Sequence, residues 1–125
     1  MMRRGVLCLM VLAIATGTAY ADRIDVQTRR LLKSSSFKVR VSAALQLSKT
    51  KDDRAVYALA EALRSDRQKT VRQVAALSLG KMVTERTSPP ARTTAVRSLK
   101  RAARQDSSTR VKRAARKSLE GFVKR

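Results

Sequence analysis

The sequence predicts an all-α chain of about six helices, arranged as three stacked antiparallel helix pairs. Three observations predict it. First, the stretch Val-Arg-x-x-Ala-Ala-x-x-Leu stands at 39–47 and again at 71–79, with a weakened copy at 111–119. Second, the segments just upstream repeat at the same offsets. Ala55, Val56 and Leu59 align with Ala95, Val96 and Leu99 at an offset of 40, and Ile24 and Leu31 align with Val56 and Leu63 at an offset of 32. Two linked segments sharing one offset define a repeating unit rather than a chance match. Third, the apolar positions keep a helical period: Val56, Leu59, Ala60 and Leu63 fall at i, i+3, i+4 and i+7, and Val71, Val74, Ala75, Ser78, Leu79 and Met82 follow the same rule.

Taken in order, the predicted helices cover 23–33, 37–48, 53–64, 70–83, 90–104 and 109–122. Ser34-Ser35-Ser36 separates the first two and offers N-cap hydroxyls. Lys49-Thr50-Lys51-Asp52-Asp53 separates the first two units and places acid at a helix start. Thr87-Ser88-Pro89-Pro90 separates the second and third units, with Ser88 as a cap and Pro in the first turn. The lengthening of the repeat offset from 32 to 40 is expected near this Pro-Pro loop. Ser107-Ser108-Thr109 is expected to cap the last helix. Alanines at 43, 44, 75, 76, 114 and 115 let neighbouring helices approach closely. Arg and Lys are good helix formers, so the basic faces do not oppose helix. One pair cannot bury its own apolar stripe, and about three units are needed for a continuous core. Terminal units then need a polar outer face. Arg116 and Lys117 provide it at one end, and Gln27, in the place of Leu59 and Leu99, at the other.

The segment 1–21 reads as a secretory signal. Arg3 and Arg4 precede the apolar run Val6 to Ala15, which is too short for a bilayer span of roughly 20 residues. Ala19-Tyr20-Ala21 is a cleavage site of the A-x-A type, so Ala21 and Asp22 flank the expected cut. This predicts an exported protein of the bacterial periplasm or extracellular space, with a repeat domain over 22–125 (units about 22–48, 53–83 and 90–123) and no membrane span in the mature chain. Cys8 is the one cysteine and falls in the signal, so thiolate metal sites are excluded from the mature protein.

The residues resemble HEAT repeats, in particular the short bacterial type found also in phycobilin lyases. The resemblance covers 22–123. Its most specific part is the Asp-x5-Arg spacing in an Ala-rich helix pair, Asp66 with Arg72; Asp106 with Lys112 keeps the spacing with a weaker donor, while Ser34 before Arg40 lacks the acid. The resemblance implies a right-handed α-solenoid whose second helices line a concave surface. It implies a ladder of Arg40, Asp66, Arg72, Asp106 and Lys112 between units, and a binding or scaffolding role rather than catalysis.

The composition bounds the chemistry. The formal charge is +20 from 29 basic and 9 acidic residues, and there is no His. Without His, and with acids scattered among bases, a general acid–base pair is hard to assemble. The doublet Asp52-Asp53 is explained by its place at a helix start. No Gly-rich phosphate loop is present. The expectation is therefore no enzyme, no cofactor and no metal. The candidate binding residues lie in the basic C-terminal third: Arg97, Lys100, Arg101 and Arg104 on the fifth helix, with Arg113, Arg116 and Lys117 on the sixth. Arg40 and Arg72 are assigned to the ladder instead, because they recur at a fixed motif position. A charge of this sign favours an anionic partner. An acidic protein surface is the leading expectation, with nucleic acid, anionic lipid or polysaccharide as the alternative. With only Phe37, Tyr57 and Phe122 as aromatics after position 21, stacking on bases is weak.

Overall fold

A computed structural model describes residues 23–124; the expected signal segment and its cleavage site at Ala21 and Asp22 lie outside the described residues. Six helices make up the described chain: α1 (23–33), α2 (Phe37–Ser48), α3 (Asp53–Ser65), α4 (Lys69–Met82), α5 (Pro89–Gln105) and α6 (Thr109–Val123). No strand occurs among the described residues. Within each of the last two units the paired helices pack together, α3 on α4 and α5 on α6. Between units, α3 packs on α5, while α2 packs on α4 and α4 on α6. α3 and α5 thus lie in one layer and α2, α4 and α6 in another, as in a HEAT-like repeat solenoid. The core runs between the layers. Leu31, Leu47, Leu59, Leu63, Leu79 and Leu99 are fully buried, and the motif alanines 43, 44, 75, 76, 114 and 115 all lie inside.

Helix entry follows several routes. Ser36 Oγ accepts the Val39 N–H at 3.4 Å and caps α2. Asp52 caps α3 through the Arg54 N–H at 2.9 Å. Ser88 makes no side-chain cap; Pro89 and Pro90 fill the first turn of α5, where a missing N–H costs nothing. Ser108 makes none either. In its place Asp106 Oδ1 accepts the Ser108 N–H at 2.8 Å, just as Asp66 Oδ1 accepts the Gln68 N–H at 2.9 Å. The eight extra residues of the second offset are not confined to the Pro-Pro loop. Four lie in α5, which has 17 residues against 13 in α3, two lie in α4, with 14 against 12 in α2, and two lie in the longer loop between units.

The hydrogen bond from the Arg54 side chain holds the Asp52 carboxyl below the usual carboxylate range, against an opposing effect of partial burial. The folded value is depressed, so this stabilisation is present above the ordinary value of about 3.9 and is lost as pH falls through the lowered one. Asp52→Asn keeps the cap and removes the charge. Its deficit in denaturant unfolding is expected at neutral pH and should vanish in acid; a deficit independent of pH would show that the charge contributes nothing.

The two ends differ. The C-terminal unit ends in exposed Arg116, at the position where Ala76 of the preceding unit is fully buried. The N-terminal unit does not present the wholly polar face that Gln27 suggested: Val26 and Val39 are exposed there. Val39 is 38% exposed, whereas Val71 and Val111, its equivalents in the next units, are at 0%. The position is apolar because the repeat demands it, and it is exposed because no earlier unit among the described residues covers it.

Candidate functional site

The Arg-Asp ladder is the first arrangement that the site residues build. Arg40 Nε donates to Asp66 Oδ2 at 2.8 Å and Nη2 to Oδ1 at 3.3 Å. Arg72 repeats this on Asp106 at 2.9 and 3.2 Å. Both pairs are largely buried, with side-chain exposures of 6% and 7% for the first and 13% and 8% for the second. Each Arg also donates through Nη1 to a backbone carbonyl of its own unit, Ser34 at 2.9 Å or Asp66 at 2.7 Å.

The pairing therefore runs from the Arg of one unit to the Asp of the next. Asp-x5-Arg spacing within a unit marks a carbonyl contact, not the ion pair. This corrects the expectation at both ends. Arg40 has its acid although Ser34 precedes it, because only the Ser34 carbonyl is needed and Asp66 supplies the charge. Ser34 Oγ still accepts the Ser36 N–H at 3.2 Å, the local turn that Asp66 and Asp106 make in their units. Among the described residues no later unit supplies Lys112 with an acid, and it makes no ion pair there. The ladder groups are consumed in joining units and offer little to a ligand.

The basic residues of the C-terminal third do not form one surface. On α5, Ala91, Ala95, Leu99, Ala102 and Ala103 are buried, while Arg97, Lys100, Arg101 and Arg104 occupy the opposite, exposed side. On α6, Val111, Ala114, Ala115 and Ser118 are buried, while Arg113, Arg116 and Lys117 are exposed. The two helices pack on each other through their buried sides. The cations of α5 thus belong to the outer face of the first-helix layer, and Arg113 and Lys117 to the outer face of the second-helix layer. Arg116 is partly spent: its Nη2 donates to the Ala103 carbonyl at 3.4 Å, in the last turn of α5.

Sequence position alone did not reveal the apolar share of the second-helix face. Leu45, Leu77 and Lys117 occupy one register position along α2, α4 and α6; Leu45 is 46% exposed and Leu77 is partly buried. Val41, Gln73 and Arg113 form the neighbouring row, and exposed Lys49 and Lys81 stand at the helix ends. The face passes from apolar on α2 to basic on α6. The repeat offsets could have shown it, since they place these residues in rows. Among the described residues, no three His, Cys, Asp or Glu side chains gather as a metal site. No described helix is long and apolar enough to cross a membrane.

Stacked helix pairs joined by a buried Arg-Asp ladder define a helical-repeat protein. The chain belongs to the HEAT repeats family, which it matches over residues 24–120. No curated protein and no solved structure matches it. Members of the family are commonly protein-interaction scaffolds and generally not enzymes.

Proposed function

We propose that the protein is an exported, non-catalytic scaffold that docks an acidic protein partner on the outer face of α2, α4 and α6. One observation carries the reading: exposed Leu45 and half-buried Leu77 share a register row with Lys117 and are rimmed by Lys49, Lys81 and Arg113. An apolar centre with a charged rim is the usual anatomy of an interface. The rim's sign selects an acidic partner and speeds its encounter. Export rests on the order of charge, apolar run and A-x-A site in 1–21.

Pull-down from envelope extract at physiological salt is expected to recover an acidic protein. Leu45→Asp, a charge placed in the apolar centre, is expected to weaken capture by about 2 kcal/mol or more. Recovery of no specific protein, or equal recovery by the variant, would count against this face. Mass spectrometry of the mature protein is expected to find Asp22 at its N-terminus. Intact Met1 on a cytosolic protein would overturn export while leaving the docking face untouched.

A further inference from the structure

The repeat itself provides a control for the cations of α5. At the offset of 40, Arg97, Lys100, Arg101 and Arg104 correspond to Tyr57, Ala60, Glu61 and Arg64 of α3. On α3, Glu61 Oε2 accepts from Arg64 Nη2 at 2.6 Å, so the helix neutralises its own cation. On α5, Arg101 stands where Glu61 stood, and the helix holds no acid over its 17 residues. Ion pairs among the described residues use Arg40, Arg54, Arg64 and Arg72, all in the first two units. Arg97, Lys100, Arg101 and Arg104 make none. Like charges at i, i+3 and i, i+4 disfavour a helix, so this face is a cost that neither the fold nor the repeat requires.

We infer that the outer face of α5 is a second binding surface, taking the backbone of a linear phosphate polymer. Arg97, Arg101 and Arg104 follow one another at about 6 and then 4.5 Å along the helix axis. Such a row meets several charges of a regularly charged chain at once, whereas a single anion needs donors that converge. The row continues along the same open face of the helix past Thr93 to Arg92. Arg97 and Arg101 also line the groove between α3 and α5. Three of the four row cations are Arg, whose planar donors grip phosphate oxygens in pairs. No aromatic residue lies on α5, so the surface holds the chain's backbone and does not read its bases. No exposed large apolar side chain lies there either, which disfavours insertion into a lipid surface. The surface is separate from the proposed docking face, because it lies on the other layer.

The test is fluorescence anisotropy with labelled oligothymidylate as a plain phosphodiester chain, titrated over a range of salt. Binding is expected, with log K falling against log salt at a slope of about −3 for four neutralised phosphates in a single strand. The double variant Arg97→Glu/Arg101→Glu is expected to lose at least tenfold in affinity, with a slope flattened by about 1.4. Lys38→Glu/Lys51→Glu makes the same change in net charge at exposed positions in and just after the first unit and is expected to stay within about threefold of the parent, because steering by distant charge is screened. Both replace exposed side chains, and Arg97→Gln/Arg101→Gln repeats the test without added acid. Equal losses in the two double variants would reduce the effect to net charge and overturn the site. So would absence of binding, displacement by polyglutamate as readily as by inorganic polyphosphate, or binding to anionic vesicles without binding to the oligonucleotide.

Discussion

Arg72→Ala is expected to cost the fold about 3–5 kcal/mol, the usual result of removing one partner from a buried ion pair. The guanidinium makes four contacts: two to the Asp106 carboxylate, one to the Asp66 carbonyl and one to Ser107 Oγ. Its removal strands the Asp106 carboxylate, 8% exposed, with the Ser108 N–H as its remaining bond. Domains of this size are stable by about 5–15 kcal/mol in total, so the variant would sit close to unfolding. Arg72→Lys cannot span the carboxylate and the carbonyl together and should recover only part. Lys112→Ala, at the same motif position in the third unit, is expected to stay within about 0.5 kcal/mol, because it makes no ion pair among the described residues. Urea unfolding followed by circular dichroism measures all three. A loss under about 1 kcal/mol for Arg72→Ala would mean that apolar packing alone joins the units.

Gly80→Ala is expected to destabilise, although alanine is the better helix former by about 0.5–1 kcal/mol. α6 crosses α4 here so closely that Ser118 Oγ donates to the Ala76 carbonyl at 2.8 Å. A Cβ on Gly80 would press into Ser118 Oγ, and would stand 2.7 Å from its Cβ and 3.1 Å from its Cα. The Cα belongs to the backbone, so the helix must shift rather than a side chain rotate. Overpacking of this kind costs about 1–3 kcal/mol, which exceeds the propensity gain. Adding Ser118→Gly should restore much of the loss by clearing the contact. A more stable single variant would show that α6 settles elsewhere at no cost. Glu120 occupies the position of Gly80 in α6.

The helices were legible because their signals are local. The period of Val56, Leu59, Ala60 and Leu63, the two offsets and the loop residues each place a helix within a residue or two of its observed limits. The caps were less legible. Ser88 and Ser108 have the right side chains, yet Pro89 and Pro90 remove one need and Asp106 meets the other. Spacing also suggested that Asp66 and Arg72 form a pair. Six residues apart in sequence, they do meet, but through the Asp66 carbonyl. The carboxylate turns to Arg40, 26 residues away, and no local pattern could choose between those partners.

The candidate surfaces divide in the same way. Sequence alone determined that the C-terminal third is strongly basic, that the chain holds no His, and that its apolar residues suit close helix packing. It determined the helix pair as the unit, because backbone hydrogen bonding and the side-chain period act over three or four residues. Only the tertiary structure decided that Arg97, Lys100, Arg101 and Arg104 face one way and Arg113 and Lys117 the other. It also decided that Arg116 reaches back to α5, and that Leu45 and Leu77 join the second cationic group. Which face a side chain joins depends on which sides of two helices are buried against each other, and contacts between residues far apart in the chain settle that.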